Sequence, residues 1–141
     1  MSTASSPSAP APPLISAWHE LVRSPSPEAL RELLAPDVTF RSPAVHTPQE
    51  GAEKTFAYLW AAVRVLRPTI EYQHEWYDDS SAVLQFSATI DGFEVSGVDI
   101  IEWNAEGRIT EFTVMVRPLK GLQAIVSAMG AELKHQQEAR S

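Results

Sequence analysis

The sequence predicts an α+β domain in which helices pack on one face of a sheet. Three observations predict it. Apolar residues first recur with a helical period, between about residues 14 and 66. From about residue 70 to 117 they alternate with a period of two, as in strands. After Pro118 the helical period returns. Helices, then a run of strands, then a helix is the α+β order rather than a βα alternation.

Each element follows from local chemistry. Leu14, Ile15, Trp18, Leu21 and Val22 form one apolar helical stripe. Ser24-Pro25-Ser26-Pro27 breaks it, and Ser26 is placed to N-cap a second helix with Pro27 at its first position. That helix carries Leu30, Leu33 and Leu34 and stops at Pro36. Val38-Thr39-Phe40 reads as a short strand, followed by a loop from Ser42 to His46. Thr47-Pro48-Gln49-Glu50 has the form of a capping box and predicts the start of a third helix, with Phe56, Leu59, Trp60, Val63 and Leu66 on its apolar side. Ile70 to Tyr77 predicts a strand. Residues 81–90 alternate, with Ala82, Leu84, Phe86, Ala88 and Ile90 on one face. Asp91-Gly92 predicts a two-residue hairpin into the strand 93–103. Asn104 to Gly107 predicts a second hairpin loop, and 108–117 the last strand. Pro118 opens a C-terminal helix with Leu119, Leu122, Ile125, Val126, Met129 and Leu133 in its stripe.

The 141 residues suit a single domain. Residues 1–13 carry four prolines and no charged side chain, and are expected to be a disordered tail. The domain is expected over 14–135, with a second tail over 136–141. Eleven basic against 18 acidic residues give a net charge of −7, which opposes nonspecific nucleic-acid binding. Cysteine is absent, which excludes disulfides, thiolate nucleophiles and Cys-bound zinc. No apolar run approaches the roughly 18 residues of a membrane span, and no signal peptide is read at the N-terminus. The expected setting is cytoplasmic, with no membrane partner. No phosphate-binding glycine motif and no HExxH are present, so neither a cofactor nor a metal is expected.

Asp99 is the most informative residue. On its strand Val95, Gly97, Asp99, Ile101 and Trp103 share one face. An ionised carboxylate among apolar neighbours is costly, and desolvation raises its pKa. One reading is a neutral or proton-sharing Asp at the wall of an apolar pocket, with Gly97 leaving space for a ligand. The other is a structural Asp bonded to a Trp, Tyr or His. His46, in a proline-bracketed loop, and His74, on the Ile70-Tyr72-His74-Trp76 side of its strand, are acid–base candidates. His19 and His135 are expected to be solvated helix residues.

The chain resembles the nuclear transport factor 2-like superfamily, whose fold is a cone of strongly bent antiparallel sheet wrapped by helices. The resemblance covers residues 14 to about 117. It rests on Trp18 to Val22, Leu34 to Pro43, Gly51 and Val98 to Ile109. It implies the cone fold here, with an extra C-terminal helix. Its SnoaL-like and ketosteroid isomerase-like members imply an isomerase, cyclase, dehydratase or hydrolase on a small apolar molecule, with Asp99 as acid or donor. The match also implies a pocket wall of Ala82, Leu84, Phe86, Val95, Gly97, Phe112, Val114 and Val116 from the sheet. Trp18, Val22, Leu59 and Val63 join it from helices, and Ser42 from the loop. Ketosteroid isomerases place their catalytic Tyr where this chain has Trp18, and their base where it has Ser42-Pro43. Trp18 is then a second donor and true ketosteroid isomerase activity is not expected. The alternatives are a non-catalytic binder of apolar ligands and a dimerisation or docking module. The outer sheet face (Val83, Val98, Ile100, Thr113, Met115) implies a homodimer. The C-terminal helix is free to cover the pocket mouth, lie on a partner subunit or be displaced.

Overall fold

The structure, a computed structural model, describes residues 10–140. The expected disordered tail therefore lies largely outside the described residues, although Ala11 already packs on the core. Helix α1 (Pro13–Arg23) buries Leu14, Ile15, Trp18 and Leu21. In α2 (Pro27–Leu33) the Ser26 hydroxyl accepts a hydrogen bond from the Ala29 amide, the cap read from the sequence. Strand β1 runs over Leu34–Arg41, longer than the three residues expected. Pro36 lies where its pairing skips, between Leu34 and Thr39, so the missing N–H breaks no ladder bond.

The capping box at Thr47 is not used. Gln49–Glu50 instead forms a short strand, β2, paired with Thr39 and Phe40. Helix α3 (Ala52–Leu66) starts after Gly51, whose φ of +96° is open to glycine but strained for other residues. The reason is tertiary: the Gly51 amide donates to the Val38 carbonyl, which ties this segment to the sheet edge.

Strands β3 (Glu71–Tyr77), β4 (Ser81–Ile90), β5 (Phe93–Trp103) and β6 (Ile109–Arg117) form the antiparallel meander. Asp91 and Gly92 both have positive φ, which is the hairpin turn their sequence implied. The six-stranded order is β2-β1-β6-β5-β4-β3. One joint departs from the antiparallel expectation, because β1 pairs parallel with β6. The chain returns to β1 only through α3 and the whole meander, so no hairpin constrains that pair. The sheet is open and cone-like, with pairing irregularities in β1, β3 and β6, and such bulges bend a sheet.

The main core lies between α1–α3 and the inner sheet face, around Ile15, Phe40, Leu59, Leu84, Ile101 and Phe112. A second core joins Ala88, Ile90 and Val95 to Ile125 of α4 (Leu119–Arg140). Helix α4 therefore packs within its own chain, against α3 and strands β4–β6, and extends past the expected domain end at 135. No helix among the described residues is long and apolar enough to cross a membrane.

Candidate functional site

Strand alternation sends Asp99 inward, as its neighbours implied. It pairs with Leu84 on β4 and Val114 on β6 and is 5% exposed. Its Oδ2 accepts a hydrogen bond from the Tyr72 hydroxyl at 2.9 Å. The Tyr72 oxygen accepts in turn from Trp18 Nε1 at 3.0 Å. Trp18 is fixed by its own packing, with its ring 5.0 Å from that of Phe112. The result is a directed chain from α1 through β3 to β5.

The electrostatics follow from burial. Desolvation pushes the Asp99 carboxyl up to about 7, and the Tyr72 hydrogen bond pulls the other way by favouring the carboxylate. Burial and the charge of Asp99 push the Tyr72 phenol well above its ordinary value, so it stays a donor. Near neutral pH Asp99 is thus divided between acid and carboxylate. Trp18 was expected as a direct donor to a ligand. Its single N–H is instead engaged by Tyr72.

Tyr72 reaches Asp99 because of a bulge. Tyr72 pairs with Phe86 and Glu75 with Leu84, so three steps along β3 oppose two along β4. Both Tyr72 and Glu75 thereby pair with inner-face residues. His74 does not share their side: its Nδ1 meets Gln85 Oε1 on the outer face, and its ring stacks on Trp76. His46 stands exposed on the loop after β1 and does not line the Asp99 cavity. The structure thus brings neither expected acid–base histidine to Asp99.

Another histidine is there instead. His19 was expected to be solvated. Its Nε2 lies 2.5 Å from Glu75 Oε2, and its ring stands edge-on to Tyr72 at 4.9 Å. His19, Arg67 and Tyr72 line an open groove beside the Asp99 cavity, and Tyr72 and Arg67 belong to both. Period-two counting places Tyr72 and His74 together and cannot detect the inserted residue. Glu75 and Arg67 carried no sequence signal of their own.

The Asp99 cavity holds about 40 Å3 of free space. Trp18, Val22, Leu59, Val63, Phe112 and Val114 of the expected wall line it. Ser42 and Val116 line a second, larger cavity under α4, of about 220 Å3, which Val114 also borders. Leu84, Phe86 and Val95 are packed into the cores and line neither. Gly97 leaves no room for a ligand on the inner face. A Cβ there would lie 2.7 Å from Phe86 Cζ and 2.4 Å from the Met115 carbonyl oxygen. Among the described residues no group of three or more His, Cys, Asp or Glu is arranged to hold a metal ion.

Comparison with known proteins places this geometry in a family. No curated protein matches the chain in sequence. A family model described as a SnoaL-like domain matches residues 15–112. A solved structure named as a steroid delta-isomerase from Pseudomonas aeruginosa is 36% identical, with a TM-score of 0.83, covering 89% of this chain and 92% of that one. An uncharacterised bacterial protein with a cystatin-like fold from Silicibacter pomeroyi is 28% identical, with a TM-score of 0.80, covering 91% and 89%. A putative SnoaL-like polyketide cyclase from a Jannaschia species shares the fold at 13% identity and a TM-score of 0.63, over 83% of this chain and 96% of that one. The chain belongs to the SnoaL-like family of the nuclear transport factor 2-like superfamily.

Proposed function

We propose that this protein is a small-molecule enzyme of the isomerase or cyclase kind. It acts on an apolar molecule with one oxygen function and uses Asp99 as its proton donor. The observation that carries this reading is a buried carboxyl with a pKa of about 7 at the wall of an apolar cavity. Tyr72 occupies one carboxyl oxygen, so the protonated acid has its O–H to offer to a substrate oxygen. As charge develops on that oxygen the bond strengthens. If the proton passes, the Tyr72 hydroxyl is already directed at the new carboxylate, and Trp18 holds Tyr72 in place. His19, oriented by Glu75 beside Tyr72, faces the adjoining groove rather than the Asp99 cavity.

Steroid isomerisation, the activity named for the Pseudomonas relative, is not assigned to this chain. Ser42 stands where the resemblance puts the base, and its hydroxyl accepts from the Ala44 and Val45 amides. A second reading, a non-catalytic binder, is favoured by one observation. Apart from the Asp99–Tyr72 pair, the described lining of the inner cavity offers no carboxylate or imidazole to move a proton. The outer sheet face, with Met115 57% exposed, supports a homodimer, which light scattering of wild type and Met115→Asp tests.

The functional test is a thermal-shift screen of cyclic ketones, terpenoid epoxides and terpenoid alcohols on wild type and Asp99→Asn. Product analysis of each stabilising compound follows. An enzyme turns a stabilising compound over, and the variant binds it without turnover. Binding without turnover in wild type supports the binder. No stabilisation across the panel refutes both and leaves a docking module.

A further inference from the structure

The groove beside the Asp99 cavity differs from it in size and in chemistry. It is open to solvent and measures about 480 Å3, against about 40 Å3 for the cavity. Two arginines line it. Arg23 is the last residue of α1, and Arg67 lies just past the end of α3. No carboxylate lines it, although the chain carries 18 acidic against 11 basic residues. Val22, Pro68 and Ile70 supply its apolar surface.

The nearby acids leave these cations available. Glu75 is engaged by His19. Glu20 pairs with Arg23, but both side chains are largely exposed, and an exposed pair of this kind contributes little and exchanges readily. Arg67 enters no ion pair among the described residues. Its guanidinium is nevertheless held in place, because Nη2 donates to the Arg23 carbonyl at 3.2 Å. That bond ties the ends of α1 and α3 together at the groove. It uses one of the five N–H groups of the guanidinium and leaves the others to a ligand. A planar fork of this kind matches two oxygens of a carboxylate or a phosphate.

We propose that this groove is a binding site for an amphipathic oxyanion, a small organic carboxylate or phosphate. Arg67 and Arg23 take the charged head, and Val22, Pro68 and Ile70 carry the apolar stem. The groove falls within the roughly 300–1,000 Å3 of small-molecule sites. The Asp99 cavity suits the opposite chemistry. It is too small for such a molecule, and an anion brought beside a buried, partly ionised carboxyl is repelled by it. Asp99 therefore takes no part in the groove site.

The test is calorimetry on the full-length protein at low salt. The probes are hexanoate, hexyl phosphate and hexanol, with acetate and inorganic phosphate as heads without a stem. At least one hexyl oxyanion should bind about tenfold or more tighter than hexanol, and tighter than its bare head. The tighter of the two identifies the head. Added salt should weaken its binding. Arg67→Gln should weaken it about tenfold or more. Arg67→Lys should recover only part of that loss, because an ammonium keeps the charge without the fork. Arg23→Gln serves the same purpose should the Arg67 variants fail to fold. Asp99→Asn should leave the affinity unchanged. No oxyanion binding, hexanol or the bare heads binding as tightly as the hexyl oxyanions, or binding unchanged by both arginine substitutions overturns the proposal. So does an Asp99→Asn effect as large as that of Arg67→Gln, which would put the anion in the Asp99 cavity.

Discussion

Replacing Asp99 by asparagine should make the protein more stable, and increasingly so as pH rises. An ordinary aspartate titrates near 3.9, against about 7 for the buried Asp99 carboxyl. The native state therefore keeps its proton through a window in which the unfolded chain releases it. Stability from this group is fully present below about pH 4 and is lost as pH rises towards 7. At about 1.4 kcal/mol per pH unit the loss amounts to about 4 kcal/mol. Asparagine has nearly the same shape, accepts from Tyr72 through its carbonyl and never ionises. Urea unfolding of both proteins from pH 4.5 to 8, followed by tryptophan fluorescence, measures the difference directly. The variant's advantage should be about 1 kcal/mol at the acid end and grow by about 3 kcal/mol by pH 8. Other titrating groups act on both proteins and cancel in the difference. Parallel stability profiles would refute the claim that burial holds the proton on Asp99.

Three further outcomes follow from the geometry. Tyr72→Phe strands the Trp18 N–H and removes the donor to Asp99, so it should destabilise by about 1–3 kcal/mol. It should also move the Asp99 midpoint above 7, read as an upward shift of the pH–stability profile. Gly97→Ala pushes a Cβ against the Met115 carbonyl and the Phe86 ring, and should lower chemical-denaturation stability by about 1–3 kcal/mol. Gly51→Ala meets no neighbour but is strained at a φ of +96°, so a loss of about 1–3 kcal/mol in the same assay would come from the backbone alone.

The features legible along the chain are those that local rules control. The Ser26 cap, the Asp91-Gly92 turn and the inward aim of Asp99 each depend on a few consecutive residues and on the two-residue pleat. The family was legible for the same reason, since its motifs are contiguous. Tertiary structure decided whatever depended on residues far apart in the chain. Pairing with β1 drew Gln49 and Glu50 into a strand and left the Thr47 capping box unused. A single bulge in β3 turned His74 outward, gave Asp99 its Tyr72 partner and set Glu75 against His19. Phe86 and the β6 backbone filled the room that Gly97 had promised to a ligand. Helix α4 settled onto α3 and the sheet of its own chain and enclosed a second cavity. The physical reason is the same in each case. Alternation and capping depend on spacing along the chain, whereas a bulge, a parallel pairing or a cavity exists only once distant side chains compete for the same volume.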